Sequence, residues 1–327
     1  MKAIICTRYG APDVLKVVDA EKPIPKDNEV LVKIHASSIN SYDWHIMRGS
    51  PFLVRLREGL FKPKKIKILG TDIAGIVESV GKSIKSFAVG DRVYGCMADS
   101  SGDGGYAEYK CAKESVLAPI PSGITFEQAA SVPMAAVTAL QGLREIGKIK
   151  KGQQVLINGA SGGVGTFAVQ LAKSFGAEVT GVCSTRNAEM VRSIGADHVI
   201  DYTKEDYTQS RQQYDLILDI VANHTLSECR RALKPDGTCA VVGFSTMGFV
   251  LKIGMLGNKT AKTDGKTIKM VMADNTKSQD LVFLNQLLEL GKVVPVIDGC
   301  YPFGDIQKAF EYFEKEHPKG KVVIEVI

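Results

Sequence analysis

Val155-Leu156-Ile157-Asn158-Gly159-Ala160-Ser161-Gly162-Gly163-Val164-Gly165 is the stretch whose reading decides the fold. Three apolar residues lead into a glycine-rich turn. From Val164 to Phe175 apolar residues then recur at helical spacing until Gly176 stops the pattern. A strand that turns directly into a helix predicts the start of a βαβ unit. The alternation continues downstream. Strands are expected at Glu178–Cys183, His198–Ile200, Leu216–Asp219, Cys239–Val242 and Ile268–Met272, with helices at Ala188–Ile194 and Leu226–Leu233. Six strands with intervening crossovers predict a parallel, doubly wound sheet.

Upstream the pattern differs. Short strand signals at Glu29–Ile34, Ala74–Gly81 and Asp91–Gly95 are separated by Gly, Pro and Asp turns, which predicts a mostly-β unit. Phe126–Glu145 has helical spacing, and Pro133 inside it predicts a kink or two helices. The tail shows helix signals at Ser278–Leu290 and Gly304–Phe313. An apolar strand, Val322–Ile327, fits best if it returns to the first unit. A chain of 327 residues exceeds what one core usually serves. Two domains are expected: 1–123 with 273–327, and 124–272.

With 45% apolar and 24% charged residues, the composition is that of a globular protein, and no apolar run reaches the roughly 20 residues a bilayer span needs. The N-terminus shows no signal-peptide core, so a cytoplasmic location is expected. The net charge is +5, and Arg55, Arg57, Lys62, Lys64, Lys65 and Lys67 hold much of the excess. That cluster lacks interleaved aromatics or a nucleic-acid motif, so no nucleic-acid partner is expected. A mildly basic surface suits a polyanionic cofactor. The seven cysteines are scattered and form no C-x-x-C, which argues against a disulfide framework and a structural zinc site.

The turn Ala160, Ser161, Gly162, Gly163, Val164, Gly165 follows the Rossmann dinucleotide pattern, with Ala160 in place of the first glycine. Glycine lets the backbone approach a pyrophosphate, and the helix start offers unpaired N–H groups. A glycine-rich turn without a ligand is the alternative. NAD binders usually place Asp or Glu at the end of the second strand; here stand Ser184, Thr185 and Arg186. A guanidinium and two hydroxyls suit a 2′-phosphate, so NADPH is expected.

These residues give the chain a resemblance to the medium-chain dehydrogenase/reductase superfamily, and most to its zinc-free, zeta-crystallin-like quinone oxidoreductase branch. Gly152-Gln153, Leu156, Ala160 to Gly163, Gly165, Gln170 and Lys173 fall at that branch's signature spacing. The likeness extends through Gly195–Tyr202, Asn40 with Asp43, Gly70–Gly75, Gly104–Glu108 and Gly320-Lys321. It implies a GroES-like catalytic domain built from both chain ends, around a Rossmann domain. It further implies a homodimer through the last Rossmann strand, near Lys266–Met272. Implied nucleotide contacts are Thr138, Ser161 to Val164, Ser184, Arg186 and Tyr202, with Phe244, Ser245 and Lys321 as weaker candidates.

Alcohol dehydrogenases of this superfamily hold a catalytic zinc by three protein ligands. Asn40 stands at the first of these positions, Thr71 at the second with Asp72 in place of its neighbouring glutamate, and the third region, Val132–Ala136, has no cysteine, so no metal is expected. Without a Lewis acid, hydride transfer favours conjugated acceptors, because the charge spreads onto an enolate or quinol oxygen. NADPH-dependent reduction of a small hydrophobic quinone or α,β-unsaturated carbonyl is expected. Asn40 is the leading polar group for the acceptor oxygen, and Tyr42 and His45 are candidate proton donors. Trp44, Phe52, Leu53, Leu56, Leu60 and Phe61 are read as an apolar mouth. The alternatives are an alcohol dehydrogenase, or an NADPH-binding protein with little catalysis.

Overall fold

The computed structural model describes residues 1–63, 67–98, 104–243, 265–274 and 277–327. The chain divides into two compact units: Met1–Ala135 with Asn275–Leu290 and Ile297–Ile327, and Ala136–Asp274 with Gly291–Val296.

In chain order the first unit begins with strands β1 (Lys2–Cys6), β2 (Leu15–Asp19) and β3 (Glu29–Ile39). The helices α1 (Ser41–Arg48) and α2 (Phe52–Glu58) follow. Strands β4 (Lys67–Ile68), β5 (Asp72–Val80), β6 (Arg92–Cys96), β7 (Tyr109–Lys113) and β8 (Leu117–Pro119) complete this part, with the helix α3 (Phe126–Ala130). β2, β1 and β4 form one sheet. β3 is the spine of the larger one, pairing antiparallel with β5 and β7. Its alternating Val30, Val32 and Ile34 are fully buried, which is why it runs on to Ile39.

α4 (Pro133–Gln141) opens on the proline that interrupts the helical pattern, so the break predicted there is real, and a π turn, Gly142–Ile146, ends it. The second unit holds β9 (Gln154–Asn158), α5 (Gly163–Ser174), β10 (Glu178–Cys183), α6 (Ala188–Ser193), β11 (His198–Asp201), β12 (Tyr214–Asp219), α7 (Leu226–Arg231), β13 (Leu233–Val241) and β14 (Thr267–Met270). All six strands run parallel in the order β11-β10-β9-β12-β13-β14. This is the doubly wound order, and it reverses direction between β9 and β12. β13 begins six residues before the expected Cys239, because Leu233 is buried and pairs with Tyr214 across a register shift.

The tail contributes α8 (Ser278–Glu289), β15 (Ile297–Pro302), α9 (Ile306–Lys315) and β16 (Lys321–Glu325). β16 pairs antiparallel with β3, Val322 opposite Ile39, which is the expected return. β15 was not legible: Asp298 and Gly299 break its apolar alternation, and it is an edge strand that buries little. Of the helix expected across Phe126–Glu145, α3 lies against β3 and β5 in the first unit.

Candidate functional site

In the second unit the glycine turn lies between β9 and α5. Gly159 has φ +90, and its N–H and that of Ala160 bond the Val182 carbonyl of β10 at 3.2 and 3.0 Å. Gly165 is where the helix passes closest to the turn: a Cβ there would stand 2.0 Å from the Gly159 carbonyl oxygen. α5 starts at Gly163, so the N–H groups of Gly163, Val164 and Gly165 point out of its first turn. Beside them, Asn187 donates from Nδ2 to Ser161 Oγ at 3.0 Å, leaving the Ser161 hydrogen to donate elsewhere. Asn187 is buried, and its Oδ1 has no hydrogen-bond partner. The tight glycine cradle and the helix-start N–H donors fit a dinucleotide phosphate, whereas the orphaned amide oxygen, which only accepts, fits a hydroxyl of the nucleotide's ribose. Asn187 escaped sequence reading; its signal is only that it follows Arg186.

The crevice where strand order reverses is tied by side chains at the carboxyl ends of β9 and β12. Asn158 donates to Asp219 Oδ1 at 2.8 Å and to Asn223 at 3.0 Å, and the Ala222 N–H donates to Asp219 at 2.9 Å. Two signature residues prove structural. Gln170 exchanges hydrogen bonds with the Val294 backbone at 2.8 and 3.0 Å, and Lys173 binds Asp197 at 2.8 Å.

At the end of β10, Ser184 is half-buried and Thr185 and Arg186 are exposed. Thr185 does not stand free as expected. It donates a short hydrogen bond to Asp201, at the end of β11, and Thr203 adds two donors to the same carboxylate at 2.7 and 3.0 Å. The Thr185 and Thr203 hydroxyls hold Asp201 well below the usual carboxylate range. An acid thus reaches this corner from the third strand, not the second. Tyr202 is 63% exposed, with its N–H on the Cys183 carbonyl. Thr138 is buried on α4. Phe244 and Ser245 lie outside the described residues.

In the first unit, the residues matched to zinc ligands converge. Asn40 Nδ2 donates to Thr71 Oγ1 and to Asp72 Oδ2, both at 2.9 Å. Lys321 Nζ donates to Asn40 Oδ1 at 2.5 Å and lies 3.5 Å from Asp72 Oδ2. Ser38 and the Met134 N–H also donate to Asp72, at 2.9 and 3.0 Å. Both Asn40 amide hydrogens are therefore engaged, which corrects its reading as a free donor. Lys321, expected as a weaker nucleotide contact, is 2% exposed and belongs to this cluster. Asp43 accepts from the Asn40 and Gly70 N–H groups, each at 3.1 Å. Burial, with Asp72 adding repulsion, pushes its carboxyl up to about 7. Burial lowers the Lys321 ammonium.

Tyr42 is half-buried against the apolar core around Met47 and Phe310. His45 Nδ1 meets the Ser50 carbonyl at 2.7 Å, so Nδ1 carries the hydrogen, and burial lowers its pKa. A ring kept neutral and bonded to its own loop is a poor proton donor at neutral pH. Trp44 leaves the expected mouth: its Nε1 donates to Glu314 at 2.6 Å, and Arg48 grips the same carboxylate at 2.5 and 2.6 Å. Phe52, Leu53, Leu56, Leu60 and Phe61 are exposed.

A parallel sheet with a phosphate-fitting glycine turn, joined in one chain to a β unit with a buried polar cluster, defines a dinucleotide-binding oxidoreductase of two units. Residues 26–122 match the family described as alcohol dehydrogenase GroES-like domain, and residues 194–324 the family described as zinc-binding dehydrogenase. A chloroplastic NADPH-dependent alkenal/one oxidoreductase of Arabidopsis thaliana is 34% identical, over 99% of this chain and 79% of its own. The solved quinone oxidoreductase of Coxiella burnetii is similar with TM-score 0.89 and 31% identity, over 100% of this chain and 99% of that one. Escherichia coli quinone oxidoreductase complexed with NADPH is similar with TM-score 0.83 and 26% identity, over 100% of both chains. The chain belongs to the medium-chain dehydrogenase/reductase superfamily, in the branch that holds the quinone oxidoreductases.

Proposed function

We propose that this protein is an NADPH-dependent reductase that transfers a hydride to quinones or α,β-unsaturated carbonyls without zinc. One observation carries the acceptor class. Where alcohol dehydrogenases place two of their metal ligands, this chain has Asn40 and Thr71, bound to one another and, through Asn40, to Asp72 and Lys321. An amide, a hydroxyl and an ammonium-paired carboxylate suit an acceptor that delocalises its own charge. Relatives with quinone or alkenal/one oxidoreductase names support the same class.

The Gly163–Gly165 amides and the Ser161 hydroxyl would hold the pyrophosphate, and Arg186 with Ser184 would hold the 2′-phosphate. When bound, NADPH supplies the hydride. The protein's share is to place the acceptor and meet its developing negative oxygen with a donor. A homodimer is proposed through β14, which pairs with β13 on one side and forms an edge of its sheet among the described residues. Seven cysteines without a disulfide suit a reducing compartment, and the cytoplasm is proposed. No described helix is long and apolar enough to cross a membrane.

The test is NADPH oxidation followed spectrally against quinones, enones, simple ketones and aldehydes, with and without chelator. Conjugated acceptors should turn over, NADPH should outperform NADH, and chelator should change nothing. Loss of turnover on chelation, restored by zinc, would make the protein an alcohol dehydrogenase. NADPH binding with no acceptor reduced would leave only a binding protein.

A further inference from the structure

Lys321 opens β16, and the pairing of Val322 with Ile39 brings it beside Asn40, 281 residues earlier. An ammonium only donates, so it faces Asn40 Oδ1; a carboxylate only accepts, so Asp72 faces Nδ2. The two neighbours leave Asn40 one orientation. The second Nδ2 hydrogen goes to Thr71 Oγ1. Lys321, Asn40 and Thr71 thus form a hydrogen-bond chain with a single direction, in which each bond strengthens the next. At its end the buried Thr71 hydroxyl donates its own hydrogen only through long bonds, at 3.2 Å to Asp43 Oδ2 and 3.8 Å to Met134 Sδ, which a better-placed acceptor oxygen can replace.

A buried ion pair is a poor source of stability, since apolar residues of similar volume do as well or better. Stability alone is thus a weak reason to place Lys321 and Asp72, 2% and 0% exposed, in this pocket.

We propose that Lys321 is the positioning cation of this site. Held between Asn40 and Asp72, it orients and polarises the Asn40 amide, so that the chain offers the Thr71 hydroxyl as donor to the acceptor oxygen during hydride transfer. Thr71 is then the catalytic residue and Lys321 acts through Asn40. The inference rests on the reading of this cluster as the hydride-transfer site.

The experiment compares wild type, Lys321→Met, Asp72→Asn/Lys321→Met, Thr71→Val and Thr71→Ser in steady-state kinetics with a quinone and an enone. NADPH deuterated at the transferred hydrogen provides the isotope effect. Lys321→Met and Thr71→Val should each lower kcat about tenfold to a hundredfold, with NADPH KM nearly unchanged and a larger isotope effect. Thr71→Ser, which keeps the hydroxyl, should recover most of the loss. The double variant removes both charges; it should melt near wild type yet stay slow, which covers the case where Lys321→Met alone fails to fold. A double variant with wild-type kcat would reduce Lys321 to a counter-ion for Asp72 and overturn the proposal, as would full activity in Thr71→Val. A raised NADPH KM with unchanged kcat in Lys321→Met would make Lys321 a nucleotide ligand instead. A wild type that turns over no conjugated acceptor removes the functional reading and this inference together; an active wild type with equally active variants removes only the inference.

Discussion

Asp43 keeps its proton in the folded protein at pH values where the unfolded chain has released it, so raising the pH should cost stability. Its folded value is about 7, against an ordinary 3.8. Burial is the larger cause and the Asp72 charge the second; the Asn40 and Gly70 N–H groups and Lys321 offset part of them. Below the ordinary value both states hold the proton, and above about 7 both have lost it. Between them the native state binds more protons, so stability falls as pH rises through this window. Roughly three pH units at about 1.36 kcal/mol each give ~4 kcal/mol. The perturbation is Asp43→Asn, which cannot titrate. Its amide meets two N–H donors badly, but that cost does not vary with pH. His35 and His45, both lowered by burial, titrate with the opposite sign and are common to the two proteins. Urea unfolding followed by circular dichroism from about pH 4 to about pH 8 therefore isolates Asp43 in the difference. The stability of wild type relative to the variant should fall by ~3–4 kcal/mol across the window. A difference that stays flat, or rises, would refute the view that burial, with the Asp72 charge beside it, holds the proton on Asp43.

The nucleotide turn makes a second prediction. A Cβ in Gly165→Ala would sit 2.0 Å from the Gly159 oxygen and 2.8 Å from the Ala160 backbone. The helix start must move, so NADPH affinity and melting temperature should both drop; a titration and a melt at wild-type values would contradict the geometry. Arg186→Ala should lower the NADPH-to-NADH ratio of kcat/KM by about tenfold or more, as expected for lost charged hydrogen bonds. An unchanged ratio would assign the preference elsewhere. Leu56 and Phe61, 55% and 88% exposed, should favour lipophilic acceptors if they line a mouth. Leu56→Ser/Phe61→Ser should then flatten the dependence of kcat/KM on acceptor chain length without changing the melting temperature. A wild-type series already flat with chain length would end that reading.

The second unit was readable because its signals are local. A branched strand, a glycine turn and an amphipathic helix each occupy consecutive residues, so β9, α5, β10 and β12 lie where periodicity put them. β15 was missed because an edge strand carries little apolar alternation. At the candidate site, side-chain chemistry named the participants but not their partners. Thr185 was legible as a hydroxyl near the nucleotide end of β10. That it donates to Asp201 depends on β10 and β11 lying side by side, Cys183 level with Asp201.

By itself the sequence determined the alternation of elements, the phosphate-fitting turn, the missing acid at the end of β10 and the residues standing at the zinc positions. All follow from short-range spacing and residue type. Only the tertiary structure decided what Lys321 does. It joins Asn40 through the antiparallel register of β16 on β3, and a contact across 281 residues is set by strand pairing and core burial, not by any local pattern. Tertiary packing likewise buries Asp43 of α1 against Gly70 and Thr71, near Asp72. That pushes a carboxyl whose residue type predicts ionisation at neutral pH up to about 7.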